Sequence, residues 1–240
     1  MRHISKSLCP EGLAEYLSEN PDATWKNFGD EAQKAHEIVQ NTIKSDQLGI
    51  CCYCEIDFHV SDEAHIKDFR VEHFYPKKQT PLPNGENAHL TWSNLLGCCH
   101  GGTQRLFQED ERFTSKKNRH CDADKGEKDW TNIIFNPLHI PEGVKIFTFE
   151  TDGKIIVSAQ CPEEFKIMAQ SSIDRLNLNE KTYLLKARGK VRAAIEIQFK
   201  SLTDGGLSLP EALDFLREAL FADTATNMKF YTCKLDYVSY

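Results

Sequence analysis

The sequence predicts an α+β protein in which a small zinc-stapled core lies between helical N-terminal and C-terminal flanks. Three patterns point there. Apolar residues recur at spacings of three and four before residue 50 and again after residue 160, and a β-hairpin signature lies between 145 and 158. Residues 51–129, by contrast, are rich in Cys, His, Gly and Asn and lack long periodic runs. A segment of that kind is held by metal ligands that replace part of an apolar core. The expected division is a helical segment over 1–50, the core over 51–129, and a hairpin with helices over 130–240.

In chain order, Pro10-Glu11 suits a helix start, and Leu13, Tyr16 and Leu17 form its apolar face. A second helix is expected from Asp30, with Ala32, Ala35, Ile38, Val39 and Ile43 in register, ending near Leu48-Gly49. Within the core, Phe69 to Phe74 and Leu95 to Cys98 read as strands, Thr80 to Asn87 as a Pro- and Gly-rich loop, and Asp122 to Lys128 as a short helix. Lys145 to Glu150 and Lys154 to Ser158 flank Thr151-Asp152-Gly153 as a hairpin. Helices are expected over Glu163 to Leu176, over Glu180 to Leu202 with Asn179 as its cap, and over Pro210 to Phe221. Thr232 to Val238 reads as a closing strand.

Composition narrows the function. No apolar stretch of about 18 residues occurs, which excludes a membrane span. Met1 to Ser7 lacks a following apolar run, so no signal peptide and a cytoplasmic location are expected. Nine cysteines in 240 residues, an odd number, fit metal binding better than a disulfide framework. Cys9, Cys161 and Cys233 stand alone and read as small buried residues. The net charge of −7 excludes a protein that coats nucleic acid by bulk attraction. Contact must come from local patches or a partner. Basic residues gather in Arg112, Lys116, Lys117 and Arg119, and again between Lys181 and Lys200, although a solvated face is the commoner use of such runs.

The chemistry lies in the core. Cys51 and Cys54 form one knuckle, and Cys99 with Cys121 completes a tetrahedral thiolate site for Zn²⁺. Cys52 and Cys98 adjoin these positions as packing residues or alternative ligands, and His100 and His120 are further alternatives. Between the cysteines lies Glu72-His73. A neutral imidazole can take a proton from water, and a carboxylate suits a hard cation such as Mg²⁺ or Mn²⁺. Neighbouring residues on a strand point to opposite faces, so the pair converges only if the strand twists or bulges. Asn94 is placed to hold the backbone around the histidine, and Asp122, beside the last zinc cysteine, to be a second oxygen ligand. Lys77, Lys125, Lys116, Lys117 and Arg119 are the candidate phosphate contacts. His65 and His89 read as loop histidines close to the motif.

The runs that carry a resemblance are Cys51-Cys52-Tyr53-Cys54-Glu55, Val71-Glu72-His73-Phe74-Tyr75-Pro76-Lys77, Trp92-Ser93-Asn94-Leu95-Leu96, Cys99-His100-Gly101-Gly102 and His120-Cys121-Asp122 with Lys125-Gly126. Together they resemble the HNH endonuclease superfamily with its ββα-metal fold. More closely they resemble the PtuB-like HNH subunits of Septu-type and retron-linked antiphage systems, where Leu176-Asn177-Leu178-Asn179 also looks familiar. The resemblance implies His73 as general base, Glu72 and Asp122 as ligands of a catalytic Mg²⁺ or Mn²⁺, and Asn94 as the orienting residue. It also implies a nucleic acid substrate, a partner ATPase, and in some systems a reverse transcriptase with its RNA–DNA product. The namesake final histidine is Asp122 here, which favours an oxygen-bound cation. Two rivals are a zinc-bound adapter without catalysis and a redox protein using Cys51 and Cys54; the latter leaves Glu72, His73, Asn94 and Asp122 without a role.

Overall fold

The computed structural model describes residues 1–61, 66–105, 112–222 and 228–239. Three helices open the chain: α1 (Glu11–Glu19), α2 (Trp25–Glu31) and α3 (Gln33–Asp46). The expected start at Asp30 is thus corrected. Residues Trp25–Glu31 form a helix of their own, closed at its start by a reciprocal Thr24–Asn27 capping box. Leu13, Phe28, Val39 and Ile43 bury one apolar face against Leu90 and Leu95.

Short antiparallel pairs follow. β1 (His59–Ser61) pairs with β2 (Ile66–Lys67), and β3 (Arg70–His73) with β4 (Leu95–Cys98), in the unbroken register Arg70↔Cys98 to His73↔Leu95. His65 lies outside the described residues. α3 is fastened to β4 by the buried Gln47 amide, which donates to the Gly97 carbonyl (2.8 Å) and accepts from the Gly97 N–H (2.7 Å). Glycine keeps this approach uncrowded: a Cβ at position 97 would lie 3.0 Å from the Gln47 amide nitrogen and 2.9 Å from the Phe69 ring, so both side chains would have to shift.

β5 (Phe147–Phe149) and β6 (Ile155–Val157) form the expected hairpin, followed by α4 (Glu163–Arg175), α5 (Leu184–Asp204), α6 (Leu209–Phe221) and α7 (Tyr231–Val238). α7 replaces the strand expected over Thr232 to Val238. Its Asp236 is buried and accepts from Thr148 Oγ1 (2.9 Å) and the Phe149 N–H (3.0 Å), with Lys145 at 2.8 Å and Arg192 at 3.4 Å. That network binds the helix to the hairpin and to α5. Asn179 is likewise not a cap: its amide brackets Ile155 with two 2.9 Å bonds, while Glu180 accepts the N–H groups of Tyr183 and Leu184 ahead of α5. No described helix is long and apolar enough to cross a membrane.

The largest apolar cluster surrounds the cysteines and draws on Met1 and Ile4, on Tyr53, Ile56 and Leu96, and on Trp130, Phe135, Phe147, Ile173 and Leu178. Glu55, directly after Cys54, joins the chain's two ends there. Its carboxylate lies 3.0 Å from the Met1 ammonium and accepts the Thr232 N–H (2.8 Å), and its carbonyl accepts the Phe230 N–H (2.8 Å).

Candidate metal centre and active site

Six cysteines of the core are buried. Cys51, Cys54, Cys99 and Cys121 converge so that all four sulfurs lie within 4.8 Å of one another. Neighbouring sulfurs are 3.7 Å (Cys54–Cys99, Cys99–Cys121) and 3.8 Å (Cys51–Cys121) apart. Zinc–thiolate bonds of about 2.3 Å in a tetrahedron set that edge at about 3.8 Å. The cluster therefore has the dimensions of a four-thiolate zinc site. The long segment between Cys99 and Cys121 closes because Gly101 and Gly102 fold it back, the Gly101 carbonyl accepting the His120 N–H (3.2 Å). Both glycines have positive φ, and a Cβ at Gly101 would collide with the His120 carbonyl at 2.2 Å. Cys121, itself at φ 55°, donates its N–H to the Leu176 carbonyl (2.9 Å), and Asn177 holds the Arg119 carbonyl (2.9 Å). The Leu176–Asn179 run is thus the splice between the thiolate turn and the hairpin.

The alternatives to these ligands find other partners. His100 sits on the buried Asp68, through its N–H (2.7 Å) and Nδ1 (2.8 Å), and His120 joins no cysteine group. Cys98 and Cys52 form a second group with Cys51, and the Cys98 thiol donates to Asp122 Oδ1 (3.2 Å). Cys161 and Cys233 are buried as expected, but Cys9 is exposed.

Beside the thiolates, β3 presents two faces. Arg70 and Glu72 face the Cys121 turn. Glu72 Oε1 accepts from Lys125 Nζ (2.5 Å) and Tyr53 OH (3.4 Å), and its carboxyl is within hydrogen-bond reach of Asp122. Burial and the Asp122 carboxylate push Glu72 up to about 8, against the opposing pull of Lys125. Asp122 pairs with the Arg70 guanidinium. The expected helix over Asp122 to Lys128 is reduced to one 3-10 turn, Cys121–Ala123, with Asp122 adjacent to its thiolate anchor.

His73 points the other way, toward Trp25 and His89, with ring centroids at 5.8 and 6.1 Å. Its Nε2 lies 3.1 Å from the His89 carbonyl. A carbonyl only accepts, so Nε2 carries the proton and Nδ1 holds the lone pair that a general base needs. Burial and the Lys77 charge hold the imidazole down, at about 3, so it is neutral at physiological pH. Asn94 fixes this side. Its amide accepts the Tyr75 N–H (2.7 Å) and donates to the carbonyls of Tyr75 (3.1 Å) and Ala88 (2.7 Å), the residue before His89. β3 carries no bulge between Glu72 and His73. The fold therefore brings Glu72 and Asp122 together, orients His73 through Asn94, and keeps the imidazole on the opposite face.

No family model matches the chain. A curated protein of Escherichia coli, the "retron Ec83 putative HNH endonuclease", is 34% identical over 193 residues, which span 76% of this chain and 72% of that protein. The chain belongs to the HNH endonuclease superfamily.

The remaining expected residues of this HNH protein separate into exposed and buried groups. Lys77, Lys116 and Lys117 are exposed, and Arg119 is half-buried. Arg112, counted in the same patch, is buried and paired with Asp57. Lys125, expected at the phosphate, is turned inward, its ammonium also donating to the carbonyls of His73 (2.9 Å) and Phe74 (2.7 Å). Four neighbours were missed by sequence reasoning: Tyr53 and Lys125 on Glu72, Arg70 on Asp122, and the His89 carbonyl on His73. Only the alternation along β3, which puts Arg70 on the Glu72 face, pointed to one of them.

Two adjoining carboxylates are an oxygen donor set that suits Mg²⁺ or Mn²⁺, which take few protein ligands and keep several waters. The donors fit such an ion, with Lys125 and Arg70 as the charges already seated against them.

Proposed function

We propose that this HNH protein is a metal-dependent endonuclease that hydrolyses phosphodiester bonds of DNA or RNA, built on a zinc-stapled ββα-metal core whose helical part is reduced to the Cys121–Ala123 turn. The observation that carries this reading is the pairing of buried Glu72 on β3 with half-buried Asp122 beside the thiolate cluster, together with a neutral histidine on β3 held through Asn94. In it His73 Nδ1 takes a proton from the attacking water, and Glu72 with Asp122 holds the cation. The bound cation supplies charge stabilisation at the scissile phosphate and the leaving oxygen. Lys77, exposed and close enough to depress the His73 imidazole, contacts phosphate beside the base, with Lys116, Lys117 and Arg119 as a second contact. The reaction requires the two faces of β3 to meet one phosphodiester, and that adjustment falls at His73, the last paired residue of the strand.

The relative's retron name and the resemblance to PtuB-like subunits support a role as effector of a cytoplasmic antiphage system. There the chain acts with a partner ATPase and, in retrons, with a reverse transcriptase and its RNA–DNA product. A net charge of −7 fits substrate delivered by such a partner. The second reading is a non-catalytic zinc adapter that binds nucleic acid or the ATPase; it draws on the fact that both acids already carry internal counter-charges.

The test is cleavage of plasmid DNA, single-stranded DNA and RNA with Mg²⁺ or Mn²⁺, alone and with an ATPase encoded beside the gene. Wild type is compared with His73→Ala at equal zinc content. Cutting that disappears in the variant establishes the nuclease. No cutting by wild type with zinc bound and the partner present establishes the adapter.

A further inference from the structure

The two internal cations beside the acids are not alike. Lys125 is wholly buried, tied to Glu72 and to two backbone carbonyls, and is part of the frame. Arg70 opens β3, its side chain is one-third exposed, and among the described residues its guanidinium is hydrogen-bonded to Asp122 alone. Its Nε is buried without a hydrogen-bond partner. A guanidinium offers parallel N–H groups matched to two oxygens of a phosphate, and a buried donor left unpaired costs stability until an acceptor arrives. The unpaired edge, the path to solvent and the adjoining acids lie at one residue.

We propose that Arg70 is a phosphate-binding residue and that its transfer from Asp122 to a substrate phosphate frees Asp122 for the divalent cation. This rests on the reading above that Glu72 and Asp122 hold that ion. With Arg70 on Asp122 and Lys125 on Glu72, the two internal cations offset the acids, and the pair attracts a dication weakly. Once Arg70 moves to phosphate, the site loses one positive charge and the Asp122 carboxylate is left open to the cation. Nucleic acid and metal then bind cooperatively, and by linkage each tightens the other by the same factor. The isolated enzyme stays poorly loaded with metal until substrate is present.

The experiment is Mn²⁺ titration of the full chain, followed by electron paramagnetic resonance, with and without a short phosphorothioate-linked oligodeoxynucleotide that resists cleavage. Wild type should bind Mn²⁺ at least tenfold more tightly with the oligonucleotide present. Arg70→Gln should bind Mn²⁺ at least tenfold more tightly than wild type without it, and gain little on its addition. Arg70→Lys, which keeps the charge, should behave as wild type without oligonucleotide, separating charge release from loosening of β3. Equal Mn²⁺ affinity of wild type and Arg70→Gln, with no effect of oligonucleotide, overturns the proposal; if Asp122→Asn still abolishes Mn²⁺ binding, the carboxylate reading survives that failure. Undiminished Mn²⁺ binding in both Asp122→Asn and Glu72→Gln overturns the carboxylate reading, and this proposal with it.

Discussion

Replacing Asn94 by alanine tests how the hairpin and the loop over His73 are held. The amide makes three bonds to backbone groups, two at Tyr75 and one at Ala88, and the residue is 5% exposed. At a net worth of about 1 kcal/mol each, removing them should cost about 3 kcal/mol. With a urea m-value of about 3 kcal/mol/M, the unfolding midpoint should fall by about 1 M. Tryptophan fluorescence of the zinc-loaded protein is a suitable readout. Asn94→Asp should lose at least as much although it is nearly isosteric. It keeps the acceptor for the Tyr75 N–H but sets a carboxylate oxygen against two carbonyls that need a donor. Cleavage should be lost in both variants under conditions where they remain folded, because the His89 carbonyl that orients His73 is no longer fixed. A midpoint within about 0.2 M of wild type for both variants would refute this account of Asn94.

Three further outcomes are expected. Metal analysis should find one zinc per chain, lost in Cys121→Ser and kept in Cys98→Ser, since Cys98 lies outside the four-sulfur group and donates to Asp122. Mn²⁺ affinity, measured by titration, should rise about tenfold per pH unit from pH 6 to about 8 and then level off, because the ion must displace the proton that Glu72 holds; without a cation the same raised carboxyl lowers stability as pH climbs from 4.5 to about 8, since the folded form keeps a proton that the unfolded chain has released. Asp236→Ala should lower stability by about 3 kcal/mol or more in urea unfolding, because it removes the carboxylate that faces the buried Arg192 and accepts from Thr148 and the Phe149 N–H.

The parts legible in the sequence are those fixed by local pattern. The spacing of Cys51 and Cys54, the alternation through Arg70 to His73, and the turn at Thr151-Asp152-Gly153 each specify geometry within a few residues. The parts that sequence reasoning missed depend on distant partners. Thr232 to Val238 alternates like a strand, yet Asp236 reaches Arg192, Lys145 and Thr148 only from a helix packed on the hairpin. α2 is seven residues long, contains Gly29, and is capped with Asn27 where Glu or Gln would have signalled the box. Lys125 looked like a phosphate contact because its charge is visible in the sequence and its burial is not. The expectation that Asp122 lies at the thiolate cluster needed only adjacency to Cys121, and its closeness to Glu72 follows once Gly101 and Gly102 close the loop.

The tie between Glu55 and α7 has a consequence for biosynthesis. Its two partners are 177 residues apart, and a closure of that length costs on the order of 5 kcal/mol in chain entropy before any contact offsets it. A ribosome emits the thiolate knuckle well before Thr232. Over the 177 residues between them the Glu55 carboxylate therefore has no Thr232 to accept from, and α7 does not yet exist. The core around Cys54 reaches its finished form only after the segment that carries Phe230 and Thr232 has been made.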